Sequence, residues 1–174
     1  MQTVNVGLIG LGTVGQGVFK HLERNGRLLS ERIGHRIRVT RVLARSRTKK
    51  RGISIAAPLW AKTWQEIVAD DSIQIVVELM GGTTEARKLV SQALKGGKIV
   101  VTANKALLAE HGEELFALAR KHNTAIYFEA SVAGGIPIIK ALNEGLVANR
   151  ILSLHGIVNG TCNYILSEMT RTGA

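Results

Sequence analysis

Short runs of apolar and β-branched residues alternate along most of the chain with segments in which apolar residues recur every three or four positions. The short runs are typical of buried strands in a parallel sheet, and the longer period is typical of helices packed on that sheet. The alternation predicts an α/β fold, a doubly wound parallel sheet covered by helices on both faces. The predicted strands are 4–9, 36–43, 73–78, 98–101 and 125–128, and the predicted helices are 83–94, 110–122 and one that begins at Thr13.

The pattern changes after the fifth predicted strand. A helical pattern over 138–146 leads into an alternating apolar segment, 150–157, which predicts a half-exposed strand outside the first sheet. We therefore predict two domains, the parallel-sheet domain over 1–133 and the start of a second, α+β domain over 134–174. Only a helix-length segment follows the last strand, which is too little to complete a sheet around it. We expect the second domain to be incomplete.

The segment between the first strand and the first helix, Gly10–Gly15, has the sequence GLGTVG. In a dinucleotide-binding loop of the form GxGxxG, Gly10 would permit the tight turn, Gly12 would let the backbone approach a pyrophosphate, and Gly15 would let helix and strand pack closely. The alternative is that these glycines only make a turn. Because the loop directly follows a strand and opens a helix, we predict a Rossmann-like domain that binds NAD(P) through these glycines.

The charge of the chain is strongly basic and unevenly distributed. The formal net charge is +10, and no Asp or Glu occurs between Glu31 and Glu66. Six Arg and Lys side chains of this gap are clustered from Arg41 to Arg51. Such a basic balance fits nucleic acid, a membrane surface or a phosphorylated small ligand. Because aromatic residues make up only 4% of the chain and leave few side chains for base stacking, we do not expect nucleic acid as a partner.

The end of the second strand favours one form of the cofactor. An NAD-specific site places Asp or Glu there, where the carboxylate accepts hydrogen bonds from the ribose 2′-hydroxyl. This chain has Ala44-Arg45 instead, and a guanidinium pairs with a 2′-phosphate that a carboxylate would repel. We therefore predict that Arg45 binds this phosphate and that NADP(H) is preferred over NAD(H). Lys49, Lys50 and Arg51 are either further phosphate contacts or solvated side chains, and the sequence leaves both open.

Cysteine usage and hydropathy bear on the location of the protein. The single cysteine, Cys162, excludes an internal disulfide and a cysteine-rich zinc site, and it fits a reducing compartment. We expect Cys162 to be a small buried residue. The N-terminus lacks the basic segment of a signal peptide, and no apolar run reaches the ~18 residues that a membrane span needs. We predict a cytoplasmic protein with no membrane partner.

Further segments, together with the glycine loop, resemble one family. They are ELMGGT (78–83), VTANKALL (101–108), EASVAGGIP (129–137) and GIVNGTCNYI (156–165). In these segments the chain resembles the homoserine dehydrogenases, in their bacterial monofunctional form, over essentially its whole length. The resemblance implies NAD(P)-dependent interconversion of L-homoserine and L-aspartate 4-semialdehyde, on the route to threonine, methionine and isoleucine, by an enzyme that is a homodimer at full length.

The resemblance also assigns residues to the cofactor and to catalysis. The cofactor contacts that it implies are Thr13, Val14, Arg45, Gly82 and Thr83, the last two near the ribose and nicotinamide. Lys105, in the TANK segment, would face the nicotinamide and the substrate as the catalytic residue. A lysine in the loop after the fourth strand lies at the carboxyl edge of the sheet, where hydride transfer would take place. The alternative for Lys105 is an exposed lysine at the start of a helix.

The resemblance further implies a monovalent cation, usually sodium, bound largely by backbone carbonyls. The matching positions are Glu129, Val132, Gly134 and Ile136. An oxygen-lined loop with one carboxylate suits a hard cation. A substrate-side loop would be formed by Asn159, Gly160 and Thr161, and the alternative for Thr161 is that it caps the helix that follows.

One departure from the family bears on activity. Its homoserine ligands, a Glu and an Asp, and the Lys thought to shuttle the proton lie beyond the position that matches Ala174. We therefore expect a fragment that binds NADP(H) and has little turnover. Two other functions stay open at this point: a nucleotide-binding regulator that contacts nucleic acid, and a dehydrogenase of another small amino-acid aldehyde or keto acid.

Overall fold

Five parallel strands form the sheet of the computed structural model, which describes residues 1–157 and 159–173. The strands are β1 (Thr3–Ile9), β2 (Arg36–Leu43), β3 (Ile75–Glu78), β4 (Ile99–Thr102) and β5 (Ile126–Tyr127). Their order is β2-β1-β3-β4-β5, and every neighbouring pair is parallel. The chain moves from β1 outward to β2 and then crosses to β3 on the other side. Ligands of such sheets bind at the carboxyl ends of the strands beside this reversal.

Helices cover both faces of the sheet. The α-helices are α1 (Thr13–Ile33), α2 (Trp64–Ala69), α3 (Thr84–Lys95), α4 (Lys105–Lys121), α5 (Ile138–Lys140) and α6 (Gly160–Thr172). Phe19 of α1 belongs to one apolar cluster with Leu8 of β1, and Leu89 of α3 and Leu115 of α4 belong to a second with Val76 of β3. Fully burying a side chain such as Leu8 stabilises the fold by roughly 1.5–3 kcal/mol. The predicted doubly wound parallel sheet is confirmed.

The segment between β2 and β3 contains structure that the periodicity did not predict. A 3₁₀ turn (Ala57–Leu59) and the short helix α2 lie there. The start of α2 is fixed by a capping arrangement in the sequence Thr63-Trp-Gln-Glu66: Thr63 Oγ1 accepts a hydrogen bond from Glu66 N at 3.3 Å, and Glu66 Oε2 accepts one from Lys62 N at 2.8 Å. A threonine followed three positions later by glutamate is a helix-start signal, so this helix could have been found in the sequence.

Helix α4 begins five residues before its predicted start. Asn104 Oδ1 accepts a hydrogen bond from Leu107 N at 3.1 Å and thereby caps the first turn. An asparagine at this position satisfies a backbone N–H that has no partner within the helix. Lys105 is consequently the first helical residue rather than a loop residue.

The predicted strand over 150–157 is wrong. These residues form no strand, and Leu152 is 85% exposed. A strand needs a neighbouring backbone for its hydrogen bonds, and no segment among residues 1–157 and 159–173 pairs with this one. Alternating hydrophobicity indicates which side chains favour burial, but it does not show that a neighbouring strand is present to pair with the segment.

The remaining elements after β5 are partly as predicted. The predicted helix over 138–146 is present as α5 followed by a π-helical turn, Ala141–Gly145. Cys162 lies on α6 and is exposed, so the expectation that it is buried is wrong. The division of the chain at residue 133 stays a prediction. No described helix is both long and apolar enough to cross a membrane.

Candidate functional site

The glycine loop between β1 and α1 has the geometry that its spacing predicts. Gly10 has a φ of +101°, and a Cβ there would overlap the backbone of Leu79. A Cβ at Gly15 would overlap the carbonyl oxygen of Gly10, so only glycine lets the helix pack this closely on the loop. Gly12 is the N-cap of α1, and a Cβ there would meet no atom within 4 Å. Open space therefore borders the exposed backbone at the helix N-terminus.

A cavity of about 490 Å³ lies against this loop, at the carboxyl ends of β1 and β2. Its apolar wall includes Ile9, Leu43 and Met80. Its charged side chains are all basic, namely Arg45, Lys49, Arg51 and Lys62. Because no carboxylate of residues 1–157 and 159–173 lines this cavity, its field favours an anion.

Arg51 connects the two loops that border the cavity. Its Nε donates to Leu11 O in the glycine loop at 3.2 Å. Its Nη1 donates to Lys49 O at 3.0 Å and its Nη2 to Ser46 O at 2.6 Å. The guanidinium also lies over the ring of Trp60, 6.0 Å from its centroid. Arg51 is therefore not a simple solvated side chain, because it holds the loop that follows β2. A phosphate contact of Arg51 stays a prediction.

The other cations of the basic segment have different environments. Arg41 forms a 3.9 Å ion pair with Asp70. Arg47 donates from Nη2 to Ala61 O at 2.8 Å and lies 5.7 Å from the centroid of the Trp60 ring. With Arg51, three of the six basic side chains of this segment thus contact other groups of the protein.

Arg45 and Lys49 are exposed cations on the wall of the cavity. The side chain of Arg45 forms no hydrogen bond and no ion pair with residues 1–157 and 159–173. Its N–H donors are therefore available to a ligand. Lys50 is also exposed but does not line the cavity.

Lys62 is a member of the cavity wall that the sequence did not reveal. It precedes the N-cap of α2, a helix outside the predicted set. The isolated parallel bridge between Val42 and Trp60 brings this segment against β2. The capping sequence predicts the helix, but only the folded chain shows that its start meets the basic loop.

A second polar group lies where β3 and β4 end. Glu78, the last residue of β3, is completely buried. Its Oε1 accepts hydrogen bonds from Met80 N at 2.8 Å and from Gly81 N at 3.3 Å, and its Oε2 accepts one from Thr102 Oγ1 at 2.6 Å. The sequence analysis placed Glu78 at the end of a strand and in the ELMGGT segment but assigned it no role, although a glutamate that closes an apolar strand indicates a buried carboxylate with a specific partner.

The predicted residues Gly82, Thr83 and Lys105 lie close to this group along the chain. Asn104 Nδ2 donates to Gly82 O at 2.7 Å, which joins the loop after β3 to the start of α4. Thr83 is the N-cap of α3 but makes no side-chain capping bond. Lys105 is exposed. Thr13 and Val14, in the first turn of α1, are exposed and lie outside the wall of the basic cavity.

The loop predicted to hold a cation begins at a short 3₁₀ turn, Glu129–Ser131. The Glu129 carboxylate accepts hydrogen bonds from Ile139 N at 2.9 Å and Lys140 N at 2.8 Å, and so caps α5. Ala133 and Gly134 both have positive φ angles, which turn successive peptide groups of this loop. A cation site formed by the carbonyls of Glu129, Val132, Gly134 and Ile136 stays a prediction.

The predicted substrate-side loop forms the N-terminus of α6. Asn159 is the N-cap, and its Oδ1 accepts a hydrogen bond from Cys162 N at 2.9 Å. The suggestion that Thr161 caps this helix is therefore wrong, because Thr161 is already helical and Asn159 occupies the capping position. Gly160 is the first helical residue.

Two family models match the chain. Residues 10–129 match the NAD-binding domain of homoserine dehydrogenase, and residues 137–174 match a second model described as homoserine dehydrogenase. The first match covers the glycine loop and strands β2 to β5.

Sequence and structure comparisons agree with these matches. The chain is 52% identical over 174 residues to the homoserine dehydrogenase of Neisseria gonorrhoeae, covering all of this chain and 40% of the relative. A crystal structure of a homoserine dehydrogenase from Thiobacillus denitrificans superposes with a TM-score of 0.89 at 50% identity, over all of this chain and 40% of that one. A hyperthermophilic archaeal homoserine dehydrogenase in complex with NADPH superposes with a TM-score of 0.70 at 28% identity, over 84% of this chain and 50% of that one.

The chain thus spans about two-fifths of the length of its bacterial relative. The matched region is the whole chain, so it includes the glycine loop, the basic segment and the elements that carry Glu78 and Lys105. On these grounds the chain belongs to the homoserine dehydrogenase family.

Proposed function

We propose that this chain is the cofactor-binding part of a homoserine dehydrogenase, which transfers a hydride between NADP(H) and the pair L-homoserine and L-aspartate 4-semialdehyde. The observation that carries this proposal is the basic cavity beside the glycine loop, whose charged side chains are all cations. Membership of the family supplies the substrate pair.

The strand order supports one orientation of the cofactor. The pyrophosphate would lie at Gly12 and the N-terminus of α1, where backbone N–H groups and the helix dipole favour an anion. From there β2 lies to one side and β3 and β4 to the other. The 2′-phosphate would lie at Arg45 after β2, and the nicotinamide would lie beside Gly82, Thr83 and Lys105.

The environment of Arg45 supports a preference for NADP(H) over NAD(H). A charge-assisted hydrogen bond contributes about 1.5–3 kcal/mol, which corresponds to roughly 10- to 100-fold in affinity. Lys49 and Lys62 border the same cavity and add positive potential. The 2′-hydroxyl of NAD(H) would find no carboxylate acceptor on this wall.

Lys105 is our candidate for the catalytic residue of this chain. It is the first residue of α4, whose first turn contains no acidic side chain. A cation at a helix N-terminus is unfavourable by about 0.3–1 kcal/mol, and residues that break a local rule are often functional. The bound cofactor would supply or accept the hydride, and the Lys105 ammonium would stabilise negative charge that develops on the substrate oxygen.

The loop at 129–136 supports the proposal of a bound monovalent cation such as sodium. Its donors would be backbone carbonyl oxygens, which suit a hard cation. Glu129 O and Ile136 O each accept one backbone hydrogen bond, from Val132 N and Ile138 N, and a carbonyl oxygen has a second lone pair for a cation. The Glu129 carboxylate would fix the loop to α5, so the cation and the cap would act on the same joint.

We further propose that the 174-residue chain binds cofactor with little turnover, and that the full-length parent is a homodimer located in the cytoplasm. Hydride transfer requires the reacting atoms to be held about 3–3.5 Å apart with an aligned proton donor. The relatives are more than twice as long as this chain, and the expected homoserine ligands belong to that additional length.

Cofactor titration tests the proposal directly. NADPH and NADH are titrated separately into the purified chain, and binding is followed by nucleotide fluorescence and by calorimetry. We expect saturable binding of NADPH with at least about tenfold higher affinity than NADH. Failure of NADPH to bind, or equal affinity for the two nucleotides, would contradict the proposed cofactor site or its selectivity respectively.

A further inference from the structure

A ring of hydrogen bonds joins the loop after β3 to the start of α4. Thr102 donates its hydroxyl hydrogen to Glu78 Oε2 at 2.6 Å and accepts a hydrogen bond from Asn104 N at 3.0 Å. Asn104 Nδ2 then donates to Gly82 O at 2.7 Å. Glu78 Oε1 completes the ring through Gly81 N at 3.3 Å.

The three side chains of the ring are buried, so their hydrogen bonds have large energetic consequences. Glu78 is 0% exposed, Thr102 1% and Asn104 9%. A buried carboxylate is strongly unfavourable unless hydrogen bonds replace its hydration. Removing one partner leaves another unsatisfied, which costs more than the bond itself contributes. The carboxylate therefore holds its neighbours in one arrangement.

The segment held by the ring has few other means of support. Gly81 and Gly82 have no side chains, so the loop can be fixed only through its backbone. Met80 N and Gly81 N are fixed by Glu78, and Gly82 O is fixed by Asn104. Asn104 also caps α4, whose first residue is Lys105. The ring thus determines where Gly82 lies relative to Lys105.

We propose that Glu78 and Thr102 are positioning residues for the nicotinamide half of the cofactor. They hold the Gly81-Gly82 backbone and the Lys105 end of α4 in the binding arrangement before the cofactor arrives. This inference rests on the proposed function, because it assumes the cofactor orientation described above. Preorganisation of this kind lowers the cost of ordering the loop on binding.

The position of the ring makes it possible to distinguish a positioning role in cofactor binding from a role in stability alone. The two ends of the cofactor site are supported by different side chains, Arg51 beside the glycine loop and Glu78 with Thr102 beside Lys105. Loss of the ring should therefore weaken binding of the nicotinamide half and leave the half that carries the 2′-phosphate unaffected.

The test compares two ligands with the complete 174-residue chain. NADPH occupies both halves of the site, whereas adenosine 2′,5′-bisphosphate carries the 2′-phosphate but no nicotinamide. Thr102→Val removes the hydroxyl at nearly constant volume, and Thr102→Ser retains it. We expect Thr102→Val to weaken NADPH binding at least about fivefold, with binding of adenosine 2′,5′-bisphosphate changed less than about twofold, and Thr102→Ser to restore NADPH binding.

A second variant covers the case in which Thr102→Val fails to fold. Glu78→Gln keeps an oxygen for Met80 N and Gly81 N but replaces the acceptor of the Thr102 hydroxyl by an amide donor. The same selective loss of NADPH affinity is expected, and thermal denaturation identifies variants that are merely unstable.

Two results would overturn the inference while leaving the proposed function intact: unchanged NADPH affinity in both variants, or equal weakening of both ligands together with a lower Tm. Absence of binding of either ligand to the parent chain would overturn the proposed function, and this inference with it. Selective loss of NADPH affinity with rescue by serine supports the positioning role.

Discussion

Arg51 donates a hydrogen bond from Nε to the carbonyl oxygen of Leu11, 3.2 Å away and forty positions earlier in the chain. The same guanidinium contacts the carbonyl oxygens of Ser46 and Lys49. One side chain therefore fixes the loop after β2 against the glycine loop, and both loops border the basic cavity. The shape of the proposed 2′-phosphate site depends on this connection as well as on the cations that face it.

Arg51→Lys is expected to weaken NADPH binding about tenfold and to lower the Tm. Lysine keeps the positive charge but cannot present several donors in the fixed plane of a guanidinium, and losing charge-assisted hydrogen bonds costs about 1.5–3 kcal/mol. NADPH titration and thermal denaturation measure the two effects. Arg27→Lys is the matched control, because Arg27 forms an exposed ion pair with Glu31 on α1 and such pairs contribute little. An Arg51→Lys variant that behaves like this control would contradict the bracing role.

Arg45→Ala should separate the two cofactors. We expect NADPH affinity to fall roughly 10- to 100-fold and NADH affinity to change less than about threefold, because only NADPH has a phosphate for this guanidinium. Lys50→Ala is the control, since Lys50 is an exposed cation of the same loop that does not line the cavity. Both variants lose one charge, so general electrostatics cancels in the comparison. Equal losses for both nucleotides would show that Arg45 does not select the phosphate.

The parts of the site that the sequence predicted are those determined by local geometry. Glycine is required at positions 10 and 15 because a strand, a tight turn and a helix meet there and leave no room for a Cβ. Arg45 was predicted because it lies at the end of a strand. The functions of Arg51 and Lys62 depend on how a long loop folds back onto the sheet. The hydrophobic periodicity does not specify the path of this loop. The residues that contact Arg51 and Lys62 could therefore not be predicted from the sequence.

The same distinction holds for the buried ring and for the wrongly predicted strand. Glu78, Thr102 and Asn104 come from the ends of two neighbouring strands, and their contacts require knowledge of register. The segment 150–157 has the alternation of a strand, but no described segment lies beside it. A sequence pattern indicates which face of an element would be buried, whereas the tertiary structure decides what it is buried against.

Lys98 should make the stability of the protein depend on pH in the range below the ordinary pKa of a lysine. Burial lowers the pKa of Lys98 from its ordinary value of 10.5, although Asp71 and Asp70 act in the opposite direction. Its Nζ donates to the carbonyl oxygens of Asp70 at 2.7 Å and Ile73 at 2.8 Å. Between the lowered pKa and 10.5, the unfolded chain binds a proton that the folded chain has released. The contribution of Lys98 to the free energy of unfolding therefore rises with pH in this window.

Comparison with Lys98→Met isolates this effect from other titrating groups. Urea unfolding at several pH values from about 7 to 10 gives the free energy of unfolding of each protein. We expect the parent to gain stability relative to Lys98→Met as the pH rises. Lys95→Met, at an exposed position near the end of α3, should show no such trend. Parallel pH profiles for the parent and Lys98→Met would refute the assignment.

Gly15→Ala and Gly17→Ala should change stability in opposite directions, although both place a methyl group on the first turns of α1. A Cβ at Gly15 overlaps the carbonyl oxygen of Gly10, and this backbone group cannot move without disturbing the glycine loop. Overpacking of this kind costs about 1–3 kcal/mol. A Cβ at Gly17 meets no atom within 4 Å, and alanine stabilises an exposed helix position by about 0.8–1 kcal/mol relative to glycine.

For a chain of this size, each kcal/mol shifts the Tm by about 2–4 °C. Thermal denaturation should therefore give a lower Tm for Gly15→Ala and a higher one for Gly17→Ala, and NADPH binding should be weakened only in the former. A Gly15→Ala variant as stable as the parent would show that the close approach of α1 to the glycine loop is not required.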